Sequence, residues 1–426
     1  MKRLDTRDAD FEQGFAALLD QARDTTTRVD APVAAIIAEV RQRGDAALCD
    51  LPARFDRMAI TSDRLRITES EILSAIAEVP QTLMTALKIA ASRIEAFHRA
   101  QMPSDLRMTD AEGLILGMRW GALDAVGLYV PGGKAAYPSS VLMNALPARV
   151  AGVGRVAMCV PTPDGVLNPL VLAAAHLSGV DEVYRIGGAQ AIAAMAWGTA
   201  TIAPVDRIVG PGNAYVAEAK RQVFGRVGID NIAGPSEVVV IADAANNPTH
   251  VALDLLAQAE HDEVAQAILI TDDAGFAGAV ILAVDLVLTT LPRAAIAGAS
   301  WRDHGAVIVV RDFDEAAALT NRLAPEHLQI MTPMPEALFA RIRHAGAVFL
   351  GRFAPEALGD YVAGPNHVLP TGRTARFASG LSVFDFLKRT TWVEADACAL
   401  RAVGHAAVAL AEAEGLGAHA RSIAVR

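Results

Sequence analysis

The chain has 426 residues, about half of them apolar, so it can bury a large core and is expected to form two to three domains. Its net charge of −10 arises from interspersed acidic and basic residues, with no Lys/Arg block or basic–aromatic stripe, which argues against a nucleic-acid partner. Cys49, Cys159 and Cys398 are widely separated and make no CxxC pair. With a charged start, Met1-Lys2-Arg3, that lacks an apolar run, they point to a soluble, cytoplasmic protein with no membrane association.

In chain order, the first hundred residues read mostly as amphipathic helix. Then strand, glycine turn and helix alternate. Val126–Val130 leads through Pro131-Gly132-Gly133 into a helix from Pro138 to Val150. Val183–Ile186 leads through Gly187-Gly188 into a helix from Gln190 to Trp197, and Arg207–Val209 leads through Gly210-Pro211-Gly212-Asn213 into a helix reaching Lys220. The uncharged run between Arg185 and Asp206 belongs to this pattern; its glycines and proline suit strand, turn and buried helix better than a membrane span. A second set comes next: Val238–Ile241 and Ala267–Ile270 flank a helix from about Thr249 to Glu260, and Gly305–Val310 precedes a helix from Asp314 towards Leu323. Strand resumes at Leu328–Ile330, and the Ala-rich tail after Ser379 reads as helix. The alternation predicts two Rossmann-like doubly wound α/β domains with helical N- and C-terminal extensions. Ligands of such sheets bind outside the carboxyl ends of the strands, where the glycine turns lie. Gly152-Val153-Gly154-Arg155-Val156-Ala157 matches a dinucleotide fingerprint, but it follows a helix and opens a strand, so it reads as a tight turn.

Several segments carry residue types suited to chemistry. Gln258 and His261 are three apart and share a helical face. They could offer an oxygen and a nitrogen to zinc, although alone they suit a solvated polar face better. Glu326 and His327 lie between a helix and a strand, a carboxylate that can activate water beside an imidazole that can take an alcohol proton. In isolation an ordinary helix-terminal His beside a surface Glu fits better. Asp360, Asn366 and His367 lie in a segment rich in turn formers, where Asp360 could also serve as an N-cap. Glu414 and His419 flank two glycines near the chain end, an odd place for a defined pair because termini fray. Ser236 reads by default as a turn serine before a strand.

Taken together, these segments resemble the histidinol dehydrogenases. The resemblance runs through GLYVPGG (127–133), IGGAQAIAAMAWGT (186–199), VDRIVGPGNAYVAEAK (205–220), AGPSE (233–237), AQAEHD (257–262), APEHL (324–328), LGDYVAGPNHVLPT (358–371) and EGLGAH (414–419). It implies a zinc-dependent, NAD-linked oxidation of L-histidinol to L-histidine through a bound aldehyde, the last step of histidine biosynthesis. By the same resemblance, one zinc ion per subunit is held by Gln258, His261, Asp360 and His419, with His419 donated across a homodimer. Glu326 and His327 match the catalytic pair. Ser236, Gln258, His261, His327, Asp360, Glu414 and His419 match substrate contacts, with His367 close by, and Tyr129, Gln190 and Asn213 match contacts to NAD. The implied organisation is an N-terminal helical arm at 1–23, a first domain of 24–128 and 238–378 with the metal and catalytic residues, a second of 129–237 with the NAD contacts, and a helical tail at 379–426 that completes the dimer and the shared site. A related zinc dehydrogenase of another polar alcohol, such as a sulfonated diol, would keep Gln258, His261, Asp360, Glu326 and His327 but change the substrate end; the Glu414 to His419 tail favours histidinol. A non-catalytic binding protein on the same scaffold is disfavoured by the presence of Glu326 and His327.

Overall fold

The computed structural model describes residues 1–20, 29–132, 137–232 and 234–426. Gly133 of the first glycine turn and Ala233 lie outside the described residues, as do residues 21–28 at the expected junction of arm and first domain.

The strands are β1 (Lys2–Asp5), β2 (Leu106–Thr109), β3 (Ile115–Ala122), β4 (Ala125–Tyr129) and β5 (Arg155–Cys159). Next come β6 (Glu182–Tyr184), β7 (Arg207–Val209), β8 (Gly228–Ile229), β9 (Glu237–Ala242) and β10 (Gln266–Thr271). The last are β11 (Ala306–Val309), β12 (His327–Met331), β13 (Ala347–Leu350) and β14 (Leu387–Glu394). Two parallel sheets result: six strands in the order β1-β11-β10-β9-β12-β13, and five in the order β6-β5-β4-β7-β8. Runs such as Val238-Val239-Val240-Ile241 are apolar on both faces because helices cover both faces. Val238 and Val240 pack into one core and Val239 and Ile241 into another, on opposite sides of the six-stranded sheet. The five-stranded sheet is built alike, with Val126 and Leu128 in one core and Tyr129 in the other. The expected pair of doubly wound sheets is therefore present.

The N-terminal helices sort differently from expectation. Ile67, Leu87 and Ile94 join the core of Val126 and Leu128, whereas Val33, Ile37, Leu48 and Leu51 join that of Tyr129 and Ala157. Residues 30–100 thus clothe the five-stranded sheet, which overturns the grouping of 24–128 with 238–378. The expected boundary at 128/129 also cuts through β4. Two further expectations give way at the chain ends. The arm begins with β1, which pairs in parallel with β11 as the edge of the six-stranded sheet. The tail opens with β14, an eight-residue strand antiparallel to β3, before its helices Ala397–Ala413 and Gly417–Ala424. β14 reads Leu-Lys-Arg-Thr-Thr-Trp-Val-Glu, whose β-branched and aromatic residues favour a strand over the helix that the Ala-rich remainder of the tail adopts.

Gly152 ends the helix Pro138–Ala151 in a left-handed conformation and β5 begins three residues later, so the GxGxxG match is a helix-to-strand turn. Among the described residues, no single helix is long and apolar enough to cross a membrane. Cys159 is fully buried in β5, and burial pushes its thiol up to about 12, as suits an inert core residue.

Candidate active site

A cavity of about 410 Å³ lies between the two sheets. The five-stranded sheet presents its carboxyl edge to it: Pro131 after β4, Ser140 in the next helix, and Pro211 and Gly212 after β7. The six-stranded sheet presents its amino edge, with Ser236 just before β9, Glu326 just before β12, and His327 as the first residue of β12. The acid–imidazole pair therefore sits at the opposite end of its strands from the usual ligand crevice of open α/β sheets. That edge is where the covering helices end, and helix C-termini favour positive charge.

Local sequence explains the placement of the pair. The helix Phe313–Leu323 stops at Ala324, which is left-handed at φ 46°, and Pro325 cannot extend it. The chain turns directly into β12, leaving Glu326 and His327 at the mouth. Along β12, His327 and Gln329 point to one face, and along the helix Pro248–Ala259, Asp254 and Gln258 are one turn apart on one stripe. The two periods match as rungs: Gln329 Nε2 donates to Asp254 Oδ2 at 2.8 Å, and His327 Nδ1 lies 3.0 Å from Gln258 Oε1.

Both members of the pair are buried. Burial pushes the Glu326 carboxyl well above the usual glutamate range, helped by the charges of Glu237 and Asp360, although the Glu237 N–H donates to its Oε2 at 3.0 Å and Ser236 hydrogen-bonds its side chain. Burial pushes the His327 ring down to about 4, so it is neutral at neutral pH despite the nearby Asp360 carboxylate. A neutral imidazole can accept a proton, and a carboxyl group with a raised pKa is a stronger base when ionised.

Gln258, His261 and Asp360 line the same cavity. Asp360 is carried by the short helix Glu356–Tyr361, which lies close to β13 because Gly359 has no side chain; a Cβ there would fall 2.6 Å from the Phe349 ring. His367 folds back on this helix, its Nδ1 lying 2.9 Å from the Asp360 carbonyl and its Nε2 3.4 Å from Ser140 Oγ. An amide oxygen, an imidazole and a carboxylate are the donor types zinc accepts, so the set fits in kind. Only His261 and Asp360 of the set are among the His, Cys, Asp and Glu side chains, and among the described residues no group of three or more of those could hold a metal ion.

The other expected residues lie elsewhere. Glu414 and His419 are exposed on the tail and do not line the cavity. Tyr129 and Gln190 are buried at the carboxyl edge of the five-stranded sheet, where the Tyr129 hydroxyl accepts the Gly188 N–H at 3.1 Å. Asn213 caps the helix Ala214–Val223, its side chain accepting from the N–H groups of Tyr215 and Val216. Two cavity residues escaped the sequence reading. Lys220 and Asp230 form a buried ion pair; Lys220 Nζ also donates to the Gly210 carbonyl at 3.1 Å, and Asp230 Oδ2 accepts the Gly210 N–H at 2.7 Å. They clamp the Gly210–Asn213 turn. Nothing in their spacing announces this, since the clamp exists only once β7 and β8 are side by side.

Fold and site together are those of an α/β enzyme, with a buried carboxyl–imidazole pair in a cleft between two parallel sheets. The chain belongs to the histidinol dehydrogenase family: the family model of that description matches residues 19–426. It is 69% identical to a histidinol dehydrogenase of Gluconobacter oxydans over 426 residues, covering 100% of this chain and 99% of that protein. It is 64% identical to one of Ruegeria pomeroyi, covering 99% and 98%. The crystal structure of histidinol dehydrogenase from Elizabethkingia anophelis is similar at a TM-score of 0.96 and 36% identity, covering 100% of this chain and 97% of that one.

Proposed function

We propose that this protein oxidises L-histidinol to L-histidine with two molecules of NAD in succession, keeping the intermediate aldehyde bound, as the final step of histidine biosynthesis in the cytoplasm. The observation that carries the proposal is the buried Glu326–His327 pair facing the cavity that also holds Gln258, His261 and Asp360.

The chain's own residues account for the proton movements. His327, neutral and buried, takes the alcohol proton as the first NAD accepts hydride from the carbinol carbon. Glu326 takes a proton from the water that adds to the aldehyde while His327 returns its proton to the aldehyde oxygen, and His327 then takes a hydroxyl proton of the resulting hydrate as the second NAD accepts its hydride. Ser236, beside Glu326, and His367, beside Asp360, present polar groups to the substrate. Zinc, when bound, would fix the substrate's imidazole and amino nitrogens and so orient it. Gln258, His261 and Asp360 would hold the metal, with the partner subunit's His419 as fourth ligand and the partner subunit's Glu414 against the substrate. Exposure of both residues on the tail supports their reaching a second copy in a homodimer. NAD would lie along the carboxyl edge of the five-stranded sheet, near Tyr129, Gln190 and Asn213.

The test is stoichiometric. Purified protein with limiting L-histidinol and excess NAD should yield about two NADH per substrate, abolished by a chelator and restored by zinc. A single NADH would show that the aldehyde escapes and that the role of Glu326 is wrong. No turnover by folded, zinc-loaded protein would overturn histidinol as the substrate and direct the search to other polar alcohols.

A further inference from the structure

The residue behind His327 takes no part in those proton movements. Glu356 opens the helix Glu356–Tyr361 and is 2% exposed. It is absent from the cavity wall, while His327 is part of that wall. Its Oε1 lies 3.3 Å from His327 Nδ1, and its Oε2 is buried without a hydrogen-bond partner. A carboxyl group in the first turn of a helix interacts favourably with the helix dipole, but it does so equally well in solvent. Burying it with one oxygen stranded is unfavourable, and an apolar side chain would fill the space without that cost. Glu356 and Asp360 are four apart, so one helical face directs one carboxyl to the cavity and the other to the back of the imidazole.

We propose that Glu356 is a positioning residue: it accepts the Nδ1–H of His327, fixes the tautomer that leaves the lone pair on Nε2, and stabilises the imidazolium formed when that nitrogen takes the alcohol proton. The inference rests on the base role of His327 in the proposed reaction. In this structure Nδ1 is hydrogen-bonded to Gln258 Oε1 at 3.0 Å, with Glu356 Oε1 the next acceptor at 3.3 Å, but the amide oxygen is the one offered to zinc. When it turns to the metal, Glu356 remains as the acceptor. Oε1 can accept whether the carboxyl is ionised or neutral, because the neutral acid can carry its proton on the unpartnered Oε2. In the step itself the O–H bond breaks, its proton moves to Nε2, the carbon's hydride leaves to NAD, and the Nδ1–H stays in place against Glu356. The arrangement parallels the carboxylate that orients the imidazole in a serine-protease triad.

The test compares Glu356→Leu, which removes the acceptor, with Glu356→Gln, which retains an oxygen of the same reach. Three quantities are read: steady-state kinetics, bound zinc, and the ¹⁵N resonances of the His327 ring, identified by their loss in His327→Asn. Wild-type protein without substrate should show His327 protonated on Nδ1. Glu356→Leu should lose about 100-fold in kcat with KM for histidinol and zinc content within about threefold, and Glu356→Gln should recover part of the loss with the tautomer kept. A kcat within about threefold of wild type in Glu356→Leu overturns the proposal. So does an Nε2-protonated ring in the wild type, or a loss in both variants that tracks zinc content or KM. If Glu356→Leu fails to fold, Glu356→Gln and the wild-type tautomer still decide. The ring measurement needs no substrate, so a failure of histidinol as substrate is distinguishable from a failure of Glu356.

Discussion

Burial makes His327 an acceptor of protons in the pH range where an exposed histidine is already partly charged, since its ring is pushed down to about 4. His327→Asn keeps the shape and removes that capacity. It should lower kcat by at least about 1,000-fold while zinc content and thermal midpoint stay near wild type. Turnover above a tenth of wild type would remove His327 from the role of base. Asp254 carries a stability prediction of definite sign. Burial pushes its carboxyl up to about 6, against the bond from Gln329, so the folded protein holds a proton that the unfolded chain has lost. Stability should therefore fall as pH rises from about 4 to 6 and level off above, with at most about 3 kcal/mol from this group. Asp254→Asn should flatten that part of a urea-midpoint profile, and parallel profiles would refute the assignment. The residues that meet at the cavity were legible as types: Gln258, His261, Glu326, His327 and Asp360 each stood out beside a turn or a helix end. Glu356 was not, because a glutamate at a helix start is ordinary until the fold seals it behind an imidazole.

At the scale of elements, the turn after β7 sets how closely that strand's end can lie against the end of β4. Gly210 sits at φ 113°, and a Cβ there would lie 2.0 Å from the Tyr129 carbonyl oxygen, so no other residue fits without moving β4 or β7. Gly210→Ala should cost at least about 2 kcal/mol in chemical denaturation and raise KM for NAD more than KM for histidinol. An unchanged midpoint would mean that the turn relaxes freely. The glycine turns were readable because strand, glycine and helix signals succeed one another within a few residues. The end of the sheet at which the catalytic pair would lie was not readable. Ser236, Glu326 and His327 lie at or just before the start of their strands, and only the three-dimensional pairing of β9 with β12 gathers them at one cavity on an amino edge.

At the scale of the molecule, the exposed tail makes a prediction that a self-sufficient monomer would fail. If the partner subunit's His419 completes each site, co-expressing His327→Asn with His419→Ala should regain about a quarter of wild-type activity, since half of randomly paired dimers hold one intact site. Equal mixtures that remain as inactive as either parent would place His419 in its own subunit's site. The two parallel sheets were visible in the alternating apolar runs, but the sheet clothed by residues 30–100 was not. An amphipathic helix states that it has a partner and does not say which; Ile94 joins the core of Leu128 only in the folded protein.

The pairing of β1 with β11 has a consequence for how the chain is made. Lys2 waits for Ala306, and at roughly 5–20 residues per second a ribosome takes about 15–60 s to deliver it. The strands of the five-stranded sheet and most of the helices that clothe it lie within 30–229 and are made well before then, although Leu381, Val383 and Phe386, which close one of its cores, come later still. One sheet can thus form on a nascent chain whose leading end is still an unpaired strand, and the six-stranded sheet gains its edge only after synthesis has passed β11, drawing the oldest residues of the chain into it.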